Sequence, residues 1–226
     1  MPVRELIDRG HELGIPVYVC GSQSGLRPPR GVSDSGIGNT SECWRAFASN
    51  AWHAGADGLV TFNLFPRNPG TERTKFARQV WSDIRDPEHV NRKDKLFCID
   101  NAEANANVCF MFGTVQVEDR LPIQVKRDAT VQRVLPVGDD VAGLKDHVKS
   151  LNLRIFLAGL GADDRVTVAV NGSTVSVHAE KAQWLAGEVS PTVMKQGDNT
   201  IAVTFESGKT ESLKLASVEL VVKYKP

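Results

Sequence analysis

Four side chains in this sequence have the chemistry to bind a hydroxyl-rich ligand such as a sugar. Arg30 and Asp34 stand in a loop rich in glycine, serine and proline, and Asn63 is part of an apolar run. Trp184 lies in the second half of the chain. Guanidinium, carboxylate and amide groups hydrogen-bond hydroxyls, and an indole offers a flat apolar face. We predict these four as the substrate-binding residues.

Each of the four also has a structural interpretation, which the sequence leaves open. Asn63 fits an amide that bonds to neighbouring backbone, and Arg30 fits a solvated loop residue. Asp34 has a serine on each side and fits a turn. Trp184 fits an anchor in the core or in a loop.

The sequence lacks the patterns of a catalytic or cofactor site. Glycoside hydrolysis normally needs two facing carboxylates, but the predicted strand ends at residues 19–22 and 63–65 contain none. Glu42 fits a helix cap better than a general acid. The 5 histidines and 4 cysteines do not follow metal-ligand spacing, and residues 21–25 lack the context of a nucleotide loop. We predict no catalytic residue, no metal and no cofactor.

Charge and hydropathy narrow the class of partner. The chain has 226 residues, with 27 Lys plus Arg and 27 Asp plus Glu, so its formal net charge is zero. This balance argues against binding to nucleic acid or to an anionic membrane. No apolar run approaches the roughly 20 residues of a membrane span. We expect no signal peptide in this chain, and export if it belongs to a longer precursor.

The elements that must position these residues change in type along the chain. Up to about residue 100, amphipathic helices alternate with two apolar strands, at residues 15–20 and 59–65. Asn39 is the expected N-cap of the helix between them, with Glu42 three residues on, and Gly55 ends it. Asp86 and Pro87 are expected to start another helix. This alternation is typical of a parallel sheet in an α/β fold.

The second half has the pattern of an all-β domain. Short strands are predicted at residues 108–117, 121–125, 130–137, 151–157, 165–170, 174–179, 200–205 and 212–224, and a short helix within 139–150. Asn171-Gly172 is a strong hairpin signal. We predict an antiparallel β-sandwich, and we divide the chain into a barrel-like domain at residues 1–104 and the sandwich at residues 105–226.

Two sets of motifs resemble carbohydrate-active enzymes. Residues 44–65, an Ala-rich helix ending in Gly-Ala-Asp-Gly before an apolar strand, resemble the last helix and strand of glycoside-hydrolase-like (β/α)8 barrels, and residues 86–88 and 94–97 resemble the segment that comes next in uncharacterised bacterial members. Residues 153–157, 165–172 and 194–201 resemble jelly-roll (galactose-binding-like) accessory domains. The resemblance implies the end of a barrel followed by a jelly roll.

A complete barrel of this class needs eight strands and about 250 residues. Only two candidate strands precede the sandwich here, so the resemblance implies a C-terminal portion. We expect a fragment of a carbohydrate-active protein that is not catalytic alone. Two alternatives stay open: a non-catalytic carbohydrate-binding or interaction module, and a structural partial barrel that self-associates through its open strand edges. Carbohydrate is the expected ligand.

Overall fold

The computed structural model describes residues 3–22, 40–62, 64–66, 68–99 and 121–226. In chain order the elements are α1 (Val3–Glu12), β1 (Tyr18–Ser22), α2 (Ser41–His53), β2 (Gly58–Phe62), α3 (Glu72–Ile84), α4 (Pro87–Val90), β3 (Lys95–Cys98), β4 (Ile123–Lys126), β5 (Ala129–Val137), β6 (Val148–Ala158), β7 (Arg165–Val170), β8 (Ser173–Val175), β9 (His178–Lys181), β10 (Trp184–Glu188), β11 (Gly197–Ser207) and β12 (Ser212–Tyr224). Short 3-10 turns cover Lys145–His147 and Pro191–Val193. Among these helices, none is both long and apolar enough to cross a membrane.

The first part of the chain is a small α/β unit. Strands β1 and β2 pair in parallel, and α2 connects them. Asp57 fixes this pairing at its start, because its carboxylate accepts the Val17 amide at 2.7 Å and contacts His11 Nε2 at 2.8 Å. The Asp57 amide in turn donates to the Val17 carbonyl at 3.0 Å. The predicted partial barrel is not shown, since the described residues here form a sheet of two strands.

Helix starts follow their capping chemistry, with one difference from the sequence prediction. The N-cap of α2 is Thr40, whose hydroxyl accepts the Cys43 amide at 3.3 Å, and not Asn39. Glu42 therefore lies at the second helical position and is not the partner in a capping box. Asp86 caps α4 by accepting the His89 amide at 2.8 Å, with Pro87 directly after it, as predicted.

The second part is a β-sandwich, which confirms that prediction. One sheet has the order β3-β12-β6-β10-β9, with β4 also pairing with β12. The other has the order β5-β11-β7-β8. The pairings within both sheets are antiparallel, and alternate residues such as Val168, Ile155 and Leu220 meet in one core. The finer assignment to a jelly roll stays a prediction.

Strand β3 connects the two parts. It precedes the predicted boundary at residue 104, yet it pairs with β12 at the edge of the sandwich sheet. The boundary itself and the strand predicted at residues 108–117 lie outside the described residues. Helix α2 packs against β3, so that Ala46 belongs to the sandwich core while Trp44 and Phe47 pack with α3 residues such as Val80. Because α2 is buried on both sides, the α/β unit and the sandwich share a packed seam.

Candidate functional site

Of the four residues predicted from the sequence, one lies in the described structure. Asn63, Arg30 and Asp34 fall outside the described residues, so their roles stay predictions. Trp184 begins β10 on the outer face of the larger sheet and is only 2% exposed. Its ring packs against Phe156 at 5.3 Å between centroids, and lies below the Arg154 guanidinium at 4.8 Å and the Lys181 ammonium at 5.4 Å. A sugar would have to displace one of these neighbours to stack on the indole.

Arg154 links this aromatic cluster to two carboxylates. Its Nη1 donates to Glu219 Oε2 at 2.9 Å, and its Nε donates to Glu180 Oε2 at 3.0 Å. Glu219 is fully buried. Burial raises the pKa of Glu219 to about 7, even though Arg154 and the Ser217 hydroxyl act in the opposite direction. Trp184 therefore lies in a packed, ion-paired cluster.

A separate set of polar groups lines a cavity of about 380 Å³ at the junction of α2, α4 and the segment after β5. We call it the seam cleft. Its polar lining residues are Ser49, His53, Asn91, Asp139, Asp140 and Gln196. Its apolar lining residues are Trp52, Pro87, Val90 and Leu144.

The floor of the seam cleft is a buried polar network centred on Asp139. Asp139 Oδ2 lies 2.8 Å from Lys95 Nζ and accepts the Tyr224 hydroxyl at 2.6 Å, while Oδ1 accepts the Ser49 hydroxyl at 2.5 Å. Lys95 is fully buried and also donates to the backbone carbonyls of Val90 and Lys93. The network therefore joins α2, β3, β12 and the segment after β5.

Burial controls the proton equilibria of this floor. It lowers the pKa of Lys95 because an ammonium loses hydration, although Asp139 opposes the shift. Burial also raises the pKa of Tyr224, and the negative charge of Asp139 acts in the same direction. Tyr224 thus stays a hydrogen-bond donor. Every oxygen of Asp139 has a donor, so this carboxylate holds the floor together.

The groups that remain available to a ligand lie on the rim of the seam cleft. Asp140 is exposed, and its Oδ1 accepts the Gly143 amide at 2.9 Å, which leaves further acceptor capacity. Asn91, at the end of α4, and Gln196, before β11, are exposed amides. Gln196 donates to the Gly138 carbonyl at 2.9 Å, which aligns its side chain along the cleft. Trp52 is anchored by an indole hydrogen bond to the Ile84 carbonyl at 3.2 Å.

Sequence reasoning did not single out these residues. The sequence pattern that points to this site is Asp139-Asp140, which follows an apolar strand, because polar side chains at a strand end often reach the surface. Lys95 gave no signal, because a lysine in a short β segment is usually solvated. Among the described residues, no group of three or more His, Cys, Asp or Glu side chains is arranged to hold a metal ion.

Comparisons with known proteins give weak structural similarities. No protein-family model and no curated protein matches this sequence. BuGH86wt, solved in complex with neoagarooctaose, is 14% identical over 46% of this chain and 18% of its own, with a TM-score of 0.33. A β-porphyranase of glycoside hydrolase family 86 from the human gut bacterium Bacteroides plebeius is 15% identical over 46% of this chain and 21% of its own, with a TM-score of 0.33. FLHE is 13% identical over 59% of this chain and 99% of its own, with a TM-score of 0.34.

The chain therefore spans about a fifth of the length of the glycoside hydrolases among its structural neighbours. Similarities at these TM-scores assign no function.

Proposed function

We propose that this chain is a non-catalytic, carbohydrate-binding part of a glycoside-hydrolase-like protein, and that the seam cleft binds the saccharide. The observation that carries this proposal is the composition of the cleft, which is lined by both hydroxyl-binding groups and apolar side chains. Its volume of about 380 Å³ falls within the range of small-molecule sites.

The chemistry of the rim suits a sugar. Asp140 offers carboxylate oxygens, and the amides of Asn91 and Gln196 can both donate and accept, as a hydroxyl does. Trp52 and Leu144 supply the apolar surface that the C–H face of a pyranose ring needs. The cleft thus pairs directional polar groups with apolar area, which is the usual composition of a small-molecule site.

The same geometry favours binding without hydrolysis. A glycosidase places two carboxylates on opposite sides of the scissile bond, one as acid and one as nucleophile or base. In the seam cleft, Asp139 is committed to Ser49, Lys95 and Tyr224. Asp140 is left as the available carboxylate among the described lining residues. One carboxylate binds a sugar hydroxyl but does not complete this mechanism.

Titration calorimetry with neutral oligosaccharides of different composition tests the proposal. We expect binding without release of shorter products, and about a tenfold weaker affinity for Asn91→Ala or Asp140→Asn, because each loses one or more ligand hydrogen bonds. Asp163→Asn is the matched control, since Asp163 is also an exposed aspartate but pairs with Lys209 and does not line the cleft. Failure of every saccharide to bind, or equal effects of Asp140→Asn and Asp163→Asn, would contradict the proposal.

A second candidate function is self-association through the sheet of β1 and β2. Tyr18, Val60 and Phe62 on these strands are 60%, 46% and 49% exposed. Parallel strands normally have both faces covered, and open strand edges invite pairing. Size-exclusion chromatography with light scattering is expected to show a dimer that Phe62→Ser weakens. A wild-type protein that stays monomeric at high concentration would rule this candidate out.

A further inference from the structure

A second cavity adjoins the seam cleft. It has a volume of about 100 Å³, and it shares His53 and Gly138 with the cleft. Val3 and Arg4 of α1 and Asp198 of β11 also line it. We call it the α1 cavity. The two cavities therefore adjoin at His53 and Gly138, where α2 packs against the sandwich.

Gly138 allows the two cavities to lie this close to α2. A Cβ atom at this position would be 2.3 Å from the Ser49 carbonyl oxygen, so any other residue would displace the helix backbone. Asn50 stabilises this close approach of Gly138 to α2. Its Oδ1 accepts the Gly138 amide at 2.6 Å, and its Nδ2 donates to the Pro136 carbonyl at 3.2 Å. The boundary between the cavities is thus built from tightly held backbone.

His53 presents a neutral ring at this boundary. Burial lowers its pKa, and nearby Arg4 lowers it further, while Asp198 has the opposite effect. A neutral imidazole carries one donor and one acceptor nitrogen, which suits a sugar hydroxyl. Arg4 donates to the His53 carbonyl at 3.3 Å through Nη2 and keeps further N–H groups for a ligand, while Asp198 is an exposed carboxylate.

We infer that the seam cleft and the α1 cavity are consecutive subsites for a linear oligosaccharide, with His53 at the junction between two sugar units. This inference rests on the proposed function and specifies the ligand as a chain of at least two units. The seam cleft holds one unit through Asn91 and Asp140. The α1 cavity, which is smaller, holds one edge of the next unit through Arg4 and Asp198.

Affinity as a function of chain length tests the inference. The monosaccharide, disaccharide and trisaccharide of whichever neutral series binds are titrated into the full chain, into Arg4→Ala and into Asp198→Asn. We expect the disaccharide to bind at least tenfold more tightly than the monosaccharide. Each variant should remove most of that gain and leave monosaccharide affinity within about twofold.

Arg9→Ala is the matched control on the same helix, because Arg9 is exposed and pairs with Glu12 outside both cavities. It should leave all three affinities unchanged, and circular dichroism checks that every variant is folded. Equal affinity for the monosaccharide and the disaccharide would overturn the inference and leave the proposed function intact. Absence of binding for every chain length would overturn both.

Discussion

The Lys95 ammonium lies 2.8 Å from Asp139 Oδ2, and neither side chain is more than 6% exposed. Lys95 is on the edge strand of the larger sheet, whereas Asp139 follows the first strand of the smaller sheet. The Tyr224 hydroxyl, at the end of β12, and the Ser49 hydroxyl, in α2, donate to the same carboxylate. The ion pair and these two hydrogen bonds therefore link α2, β3, β12 and the segment after β5 around the seam cleft.

We predict that Lys95→Met destabilises the protein by about 3–5 kcal/mol, because it leaves Asp139 as a buried charge without its cation. Chemical denaturation measures the change. Lys209→Met is the control, since Lys209 and Asp163 form an exposed pair at 2.5 Å, and its loss should cost less than about 1 kcal/mol. Equal costs for the two variants would show that the buried pair does not hold the seam.

Glu219 gives the stability a specific dependence on pH. The unfolded chain releases this proton near the ordinary pKa of 4.5, whereas the folded chain holds it up to about 7. The folded state binds more protons between these values, so the contribution of Glu219 to stability falls as pH rises through this window. At about 1.4 kcal/mol for each pKa unit, the loss is on the order of 3 kcal/mol.

Glu219→Gln should remove this slope, because glutamine does not titrate. Urea denaturation between pH 5 and pH 8 measures the difference between variant and wild type at each pH. Glu180→Gln is the matched control, since Glu180 binds the same Arg154 but is exposed. Parallel pH profiles for wild type and Glu219→Gln would be inconsistent with this account.

Gly138→Ala should disturb the seam. The added methyl would meet the Ser49 carbonyl oxygen at 2.3 Å, and forcing the two backbones apart is expected to cost about 1–3 kcal/mol. The same change should weaken saccharide binding, since Gly138 lines both cavities. Gly161→Ala is the control, because its methyl would make only an ordinary contact with Asp164 at 3.5 Å. In chemical denaturation, the unfolding midpoint should fall for Gly138→Ala and stay near the wild-type value for Gly161→Ala.

Trp184→Ala distinguishes packing from sugar stacking at the one predicted site residue that the structure describes. Loss of the buried indole is expected to lower the free energy of unfolding by about 3–5 kcal/mol. It should leave the saccharide affinity of the folded protein unchanged. Trp81→Ala is the control. Because Trp81 is 39% exposed, this substitution should lower the free energy of unfolding much less. A large loss of affinity without a loss of stability would support the stacking role instead.

Local patterns predict most of the sandwich strands. The prediction for Arg165–Val170 matches the structure to the residue, because alternate valines define one buried face and Asn171-Gly172 ends the strand. Trp184–Glu188 is a strand that the sequence analysis does not predict, and it contains Gly187. The structure explains that glycine: a Cβ there would lie 2.5 Å from the Ser176 carbonyl oxygen, where the neighbouring chain segment passes close by.

Strand β3 shows why sequence separation limits such predictions. Lys95–Cys98 reads as the continuation of the α/β unit, but its partner β12 begins only at Ser212. Pairing between distant segments depends on the whole sandwich core, which no local window contains. The same holds for the seam cleft, because Asn91, Asp140 and Gln196 come from three separate segments.

Asn171 and Asn199 show which features follow from the sequence and which depend on the tertiary structure. By itself, the sequence determined the turn at Asn171-Gly172, because these residue types favour tight backbone conformations. Gly197-Asp198-Asn199 also has the composition of a turn, but in the structure these residues begin β11 and pair with β5. Only the tertiary structure brought Asn171 and Asn199 together, with Asn171 Nδ2 donating at 2.8 Å to Oδ1 of the fully buried Asn199. In the same way, charge and composition determined a neutral protein with a packed core. Burial alone decided that Lys95, Asp139 and Tyr224 meet, since charged and polar groups removed from water must bind one another.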